Sequence, residues 1–174
     1  MGIFGILRYN LKRMKQAKKL SAMGAEALLA LDDDNFYDAV ECLCDVAVYD
    51  INAPELNEPQ LFLYALTRFE AEVNNGGLCQ FFVNSSSECA PYISRALAAV
   101  GADALKSLFD SFIAENGIDV TDLSSFNIDS IDDYEAQTQR FDFDGFDDRF
   151  YEDEQLHDRI IAYGRRNIAR LLES

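Results

Sequence analysis

The sequence predicts an all-α protein, a single compact multi-helix domain with a long acidic loop. Three observations lead there. Apolar residues recur at i, i+3, i+4 and i+7 along most of the chain, the spacing of one buried helix face. Strand-like alternation is scarce. Three prolines and nine glycines in 174 residues leave long stretches uninterrupted. A hydrophobic content of 49%, with thirteen Phe and eight Tyr, supplies a core that acidic disordered chains lack.

Residues 3–20 read as a basic amphipathic helix, and residues 1–22 are set apart from an acidic helical domain over 23–174. Asp32 to Asn35 offer caps for a helix over about 35–51, with Val40, Leu43, Cys44 and Ala47 inward and Asn52-Ala53-Pro54 as its stop. The next helix covers about 58–75, with Asn57 as cap and Pro59 in the first turn, where a missing N–H costs little. Its stripe is Phe62, Leu66, Phe69 and Val73. Gly76-Gly77 stops it, and a short helix follows at 78–84. There Leu78, Phe81 and Phe82 share one face, and Gln80 and Asn84 another. Ser85-x-x-Glu88 resembles a capping box, but Pro91 would then lie beyond the first turn, so a start at Ser87 or Glu88 fits better. That helix buries Ile93, Leu97 and Val100 and ends at Gly101. Residues 102–115 form another, with Leu105, Leu108, Phe109 and Phe112 inward, ended by Asn116-Gly117. From Ile118 to about Ala136 periodicity is lost, and a long acidic loop is expected. A final helix over about 151–172 carries Glu152, Asp153 and Glu154 at its positive end and Arg165, Arg166 and Arg170 at its negative end. Its inward residues are Leu156, Ile160, Tyr163, Ile168 and Leu171.

Charge is the strongest compositional signal. Thirty-one acids face fifteen bases, a net −16. The first twenty residues hold Arg8, Lys12, Arg13, Lys15, Lys18 and Lys19 and no acid, which leaves −22 on the other 154. From Asp110 to Glu154 there are fifteen acids and two bases, Arg140 and Arg149. Such a surface repels nucleic acid and attracts proteins that bind it. The basic N-terminal helix can touch a membrane surface, but folding against the chain's own acids is the preferred reading. No apolar run approaches the ~20 residues of a spanning helix, the N-terminal apolar patch has its positive charges on the wrong side for a secretory signal, and a cytoplasmic protein is expected.

No cofactor or metal is expected. Cys42, Cys44, Cys79 and Cys89 match no zinc or redox spacing and read as small buried apolar residues. His157 is the sole histidine, which disfavours zinc. Aligning Gly145 with the glycine of a calcium loop puts Asp142 and Asp144 at ligand positions, but Arg140 would occupy the first seat and Tyr151 the last. Acid pairs occur throughout, so none singles out a catalytic pair.

The most distinctive stretch runs from Glu72 to Ser85. It is a helix end, a glycine turn and a new helix with aromatic anchors. Asn74, Gln80 and Asn84 can satisfy the backbone groups exposed at that junction. Glu72, Asn75-Gly76-Gly77, Gln80, Phe81-Phe82 and Asn84-Ser85 resemble the signature of the bacterial DNA mimic protein 19 family, a family catalogued as a domain of unknown function. Leu97 to Gly101-Ala102, Phe150-Tyr151, Tyr163 and Asn167 are similar too. The resemblance spans about residues 35–170 and omits the basic start. It implies a mostly helical, acidic, non-enzymatic protein in which carboxylates stand where DNA phosphates would. The motif itself carries no mimicry; surface acids would.

The leading functional expectation is therefore an interaction protein that presents ordered carboxylates to a basic, DNA-binding partner, with no nucleic-acid binding of its own. The candidate contacts are Asp119, Asp122, Asp129, Asp132, Asp133, Asp142, Asp144, Asp147 and Asp148, anchored by Phe141, Phe143, Phe146 and Phe150. Two alternatives stand beside it: an immunity or antitoxin-like inhibitor of a basic toxin, and a small-ligand or enzymatic domain with a cleft at the Asn-Gly-Gly junction lined by Glu72, Gln80 and Asn84.

Overall fold

The computed structural model describes residues 3–49, 55–153 and 155–173. Among these there are nine α-helices, two short 3-10 turns and no strand. The all-α prediction therefore holds. Two compact units can be distinguished within the chain, Met1–Tyr64 with Ile160–Ser174, and Ala65–Arg159.

In the first unit, α1 (Ile3–Leu29), interrupted at the non-helical Gly24, packs along α2 (Asp33–Tyr49). Ala17, Leu20 and Leu28 are buried on α1, and Phe36, Ala39 and Val40 on α2. Asp32 accepts the Asn35 N–H at 3.0 Å and so caps α2. That backbone bond, with the Asn35 side chain, holds the Asp32 pKa below its ordinary value. Ala47 and the expected stop at Asn52-Ala53-Pro54 lie outside the described side chains and residues. α3 (Glu58–Val83) opens with a reciprocal capping box: Asn57 N–H donates to Gln60 Oε1 at 2.9 Å, and Gln60 N–H donates to Asn57 Oδ1 at 3.2 Å. The same two side chains donate to the Arg170 and Leu171 carbonyls at 2.8 and 3.1 Å, which fixes the end of the chain to this helix start.

Arg165 has a larger role than the dipole partner the sequence suggested. Its guanidinium lies 4.4 Å from the centre of the fully buried Phe36 ring. It donates to the Leu29 and Leu31 carbonyls at 2.9 Å and to Asp33 at 2.7 Å, closing the turn between α1 and α2. Gly164 leaves room for the Phe36 ring, since a Cβ there would lie 3.0 Å from it.

In the second unit, α3 continues through its glycine break, then a 3-10 turn at Ser85–Cys89 leads to α4 (Ala90–Val100) and α5 (Asp103–Asn116). The capping-box-like Ser85-x-x-Glu88 does not cap α4, which starts just beyond the expected Ser87 or Glu88: Cys89 is the N-cap, and Pro91 takes the first turn, the place where the ring is tolerated. Gly101 and Gly117 close α4 and α5 in the left-handed conformation.

Two sequence expectations are corrected here. The stretch from Ile118 to Ala136 is not all loop: after a 3-10 turn at Ser124–Phe126 comes α6 (Ile131–Thr138), capped by Ser130. Its periodicity is invisible because α6 buries no residue. The single final helix expected over about 151–172 is two shorter ones, α8 (Leu156–Arg166) and α9 (Ile168–Leu171), and a further helix that was not expected, α7 (Phe143–Tyr151), precedes them. Leu156, Ile160, Ile168 and Leu171 are buried as expected, whereas Tyr163 is only half-buried. Glu154 lies outside the described residues.

The core of this unit is aromatic. Phe69 meets Phe81, Phe109 and Phe150 edge to face at 5.1, 5.8 and 5.7 Å. Phe82 stands against Phe126 at 4.9 Å, and Phe112 against Phe143 and Phe146 at 5.3 and 5.5 Å. All four cysteines are free and buried. Burial pushes the Cys79 thiol up to about 11 and Cys89 to about 12, so neither is a nucleophile at neutral pH.

Phe82 touches the ring of its neighbour Phe81 and rings from two other segments, Phe126 and Phe143, and is essentially inaccessible. Phe82→Ala should lower unfolding stability by about 3–5 kcal/mol, read from denaturant melts. An unchanged midpoint would place the ring outside the core.

Candidate functional site

The site builds outward from a helix that must stop and restart. Gly76 and Gly77 leave helical geometry inside α3, Gly77 at φ 79°, ψ 177°, a region essentially open to glycine alone. In an unbroken helix the Val73 carbonyl would accept from the N–H of residue 77, and the Leu78 N–H would donate to residue 74. The break removes both partners, and the interior cannot leave such groups unpaired.

Distant residues supply them. Tyr151 at the end of α7 donates its hydroxyl to the Val73 carbonyl at 2.7 Å, and the Asp147 carboxylate accepts the Leu78 N–H at 2.9 Å. Tyr134 of α6 donates to the Gly76 carbonyl at the longer distance of 3.5 Å. A Cβ on Gly77 would sit 2.0 Å from Asp147 Oδ2. The glycine is thus required twice, by its dihedral and by the carboxylate pressed against it.

The two arms of the broken helix are tied by Glu72. Its carboxylate accepts from Gln80 Nε2 at 2.7 Å, Asn84 Nδ2 at 2.8 Å and Ser86 Oγ at 2.8 Å. Gln80 and Asn84 share a face, as their spacing predicts. They serve a carboxylate, however, and not the backbone groups of the junction, and the exposed Asn74 is not the partner of those groups either. Leu78, Phe81 and Phe82 on the other face are buried. A Cβ on Gly76 would press on Gln80 Oε1, so Gln80, which donates to Glu72, would have to shift. Asn75 and Ser85 are exposed.

This arrangement explains why those residue types occur at those spacings, and it matches a known sequence family. The model of the DMP19-like protein family covers residues 54–167. The chain belongs to that family. No curated protein and no solved structure matches it. In this chain the stretch from Glu72 to Ser85 breaks one helix, and α6 and α7 dock onto the break.

The nine candidate acids fall into two groups. Asp119, Asp122, Asp129, Asp132, Asp133, Asp142, Asp144 and Asp148 are exposed. Asp147 is half-buried, points into the fold and caps the restarted helix. Burial pushes its pKa up, although the Leu78 N–H pulls the other way. Several exposed acids are fixed by short local bonds. Asp119 accepts from the Thr121 hydroxyl and N–H at 2.7 and 2.9 Å, Asp122 from the Ser124 N–H at 3.1 Å, and Asp133 from the Ser130 hydroxyl at 2.7 Å. The side-chain bonds from Thr121, Ser124 and Ser130 lead in holding these three pKa values below the usual carboxylate range. Asp142 accepts the Gly145 N–H at 3.1 Å and caps α7, so the Asp-Phe-Asp-Gly run is a helix start.

The anchors beneath this face include Phe143, Phe146 and Phe150, all buried, and Phe141, half-buried against Phe112 and Phe126. Sequence reasoning missed Phe126, Ser86, Asp147's inward turn and Tyr151. It also missed Arg140, whose guanidinium lies over Phe126 and Phe141 at 5.2 and 5.0 Å and donates to the Ser125 carbonyl at 3.0 Å. The cavity beside the glycine break, about 510 Å³, is lined by Gln80, Val83, Asn84, Ile128, Ile131 and Tyr134 among others. Glu72 is not part of its wall.

Gly77→Ala should cost at least about 2 kcal/mol, from the forbidden dihedral and the displaced Asp147 bond together; a thermal melt reads this. Asp147 also yields a pH signature. Its folded pKa is raised, so its contribution is most favourable at low pH and is lost as pH rises through that pKa. Asp147→Asn keeps an acceptor and removes the ionisation. The stability of the parent chain relative to this variant should therefore fall as pH rises through the raised pKa. A difference that stays flat with pH would show that the carboxylate does not titrate in that environment.

Proposed function

We propose that the chain is an interaction protein whose acidic face, carried by residues 119–148, occupies the nucleic-acid-binding surface of a basic protein, in the manner of a DNA mimic. The single observation that supports this most is the exposure of eight carboxylates on a backbone fastened from below by aromatic rings. Duplex DNA presents about one charge per 1.7 Å of axis, and a substitute must hold its charges in place, because a floppy acidic segment would lose entropy on binding. Membership of the DMP19-like family is consistent with such a role.

The local bonds to Asp119, Asp122 and Asp133 favour their ionised forms. These three therefore keep their negative charge to lower pH than free carboxylates would. The enzymatic alternative at the Asn-Gly-Gly junction has less support, because three donors already occupy the Glu72 carboxylate. A basic toxin as the partner would use the same electrostatics, and the competition experiment separates the two by whether DNA is displaced.

The test uses Asp129, Asp132, Asp144 and Asp148, which cap neither α6 nor α7. Changing all four to Asn leaves the fold and should weaken partner binding at least about tenfold. The parent chain should displace duplex DNA from its basic partner, less effectively as salt rises. Binding that ignores salt, or that survives the four changes intact, would exclude the mimic reading.

A further inference from the structure

The acidic face leaves α1 unexplained. No acid precedes Glu26, and six bases fall within the first twenty residues. Only part of that charge is spent inside the fold. Arg13 turns toward α2, where it bonds the fully buried Asp45 and lies 3.3 Å from Glu41. Burial opposes its charge, but the Asp45 bond and the two carboxylates outweigh this and hold its pKa above the ordinary value. Ala17 and Leu20 are buried on the same side. Lys12, Lys15, Lys18 and Lys19 are exposed, and Leu11 is 57% exposed among them.

At 3.6 residues per turn, Leu11, Lys15 and Lys18 stack on the helix face away from Ala17 and Leu20, with Lys12 and Lys19 along one edge. The outward face thus sets an exposed leucine among lysines. We propose that this face of α1 binds an anionic phospholipid surface, with the lysines at the headgroups and Leu11 at the acyl boundary. Charge complementarity chooses the occupant. An exposed leucine in the same stripe has no use against a phosphodiester backbone, which favours lipid over nucleic acid. A symmetric pair through this face would set lysines against lysines, which opposes stacking of α1 on α1 of a second copy. This inference is independent of the acidic face.

Sedimentation of the full chain with vesicles tests it. The protein should pellet with phosphatidylcholine vesicles that contain phosphatidylglycerol, not with phosphatidylcholine alone, and less as salt rises. Lys12→Gln, Lys15→Gln, Lys18→Gln and Lys19→Gln combined should weaken binding at least about tenfold with an unchanged far-ultraviolet spectrum, since all four side chains point to solvent. Leu11→Gln should weaken it with every charge in place. The variant with four acids changed to Asn should bind at least as well as the parent. No pelleting with anionic vesicles, or pelleting that the lysine variant retains, overturns the proposal. Retention of the Leu11→Gln variant together with competition by duplex DNA would instead assign a general polyanion site. A salt-sensitive dimer in sedimentation velocity, abolished by the lysine variant, would assign the face to a second copy.

Discussion

A helix broken where Val73, Gly77 and Leu78 are buried must find new partners for its freed backbone groups, and that requirement organises the unit formed by Ala65–Arg159. The freed carbonyl at Val73 and the freed N–H at Leu78 take a hydroxyl and a carboxylate from α7. The bond that completes the break also fixes α7 in place. Glu72 does the corresponding work on the near side, holding three donors from beyond the kink. Hydrogen bonds to a charged acceptor are worth about 1.5–3 kcal/mol, more than neutral ones, so a carboxylate is an apt residue for a joint that must not flex.

The aromatic residues extend that constraint to the acidic face. Aspartates repel one another and would tend to spread the backbone that carries them. Phe126, Phe143, Phe146 and Phe150 are buried, so the backbone between the acids cannot follow the charges outward. Burying a Phe contributes about 1.5–3 kcal/mol. Repulsion between exposed charges is screened within about 8–10 Å at moderate salt. Packing therefore wins, and the acids stay where the rings put them. Arg140 adds to this by covering two rings while sitting among the acids.

Much of this was legible in the sequence, and the misses have physical causes. The glycine pair, the faces of residues 78–84, and the ends of α4 and α5 at Gly101 and Gly117 followed from local rules. α6 escaped because it buries none of its residues, so it leaves no periodic signal. The final helix looked continuous because the inward spacing of Leu156, Ile160, Ile168 and Leu171 survives its interruptions. Asp147 was indistinguishable from Asp144 and Asp148. All three sit in one run of acids, and only the position of Leu78, sixty-nine residues earlier, tells them apart. Arg165 was hidden the same way, since its partners Leu29, Leu31 and Asp33 are more than 130 residues away. Spacing reports contacts within an element, and these contacts are between elements.

Asp147 also shows why family membership fixes the fold more firmly than the partner. Gly77 has room for no side chain because Asp147 stands against it, so those two positions constrain each other. The exposed acids have no such counterpart inside the molecule. Asp129, Asp132, Asp144 and Asp148 could each become another polar residue without leaving a backbone group unpaired. Related chains can therefore keep the broken helix and its latch while rearranging the charges that a partner would meet. Specificity, on this view, lies in the residues the fold leaves free, and the broken helix is the frame that holds them.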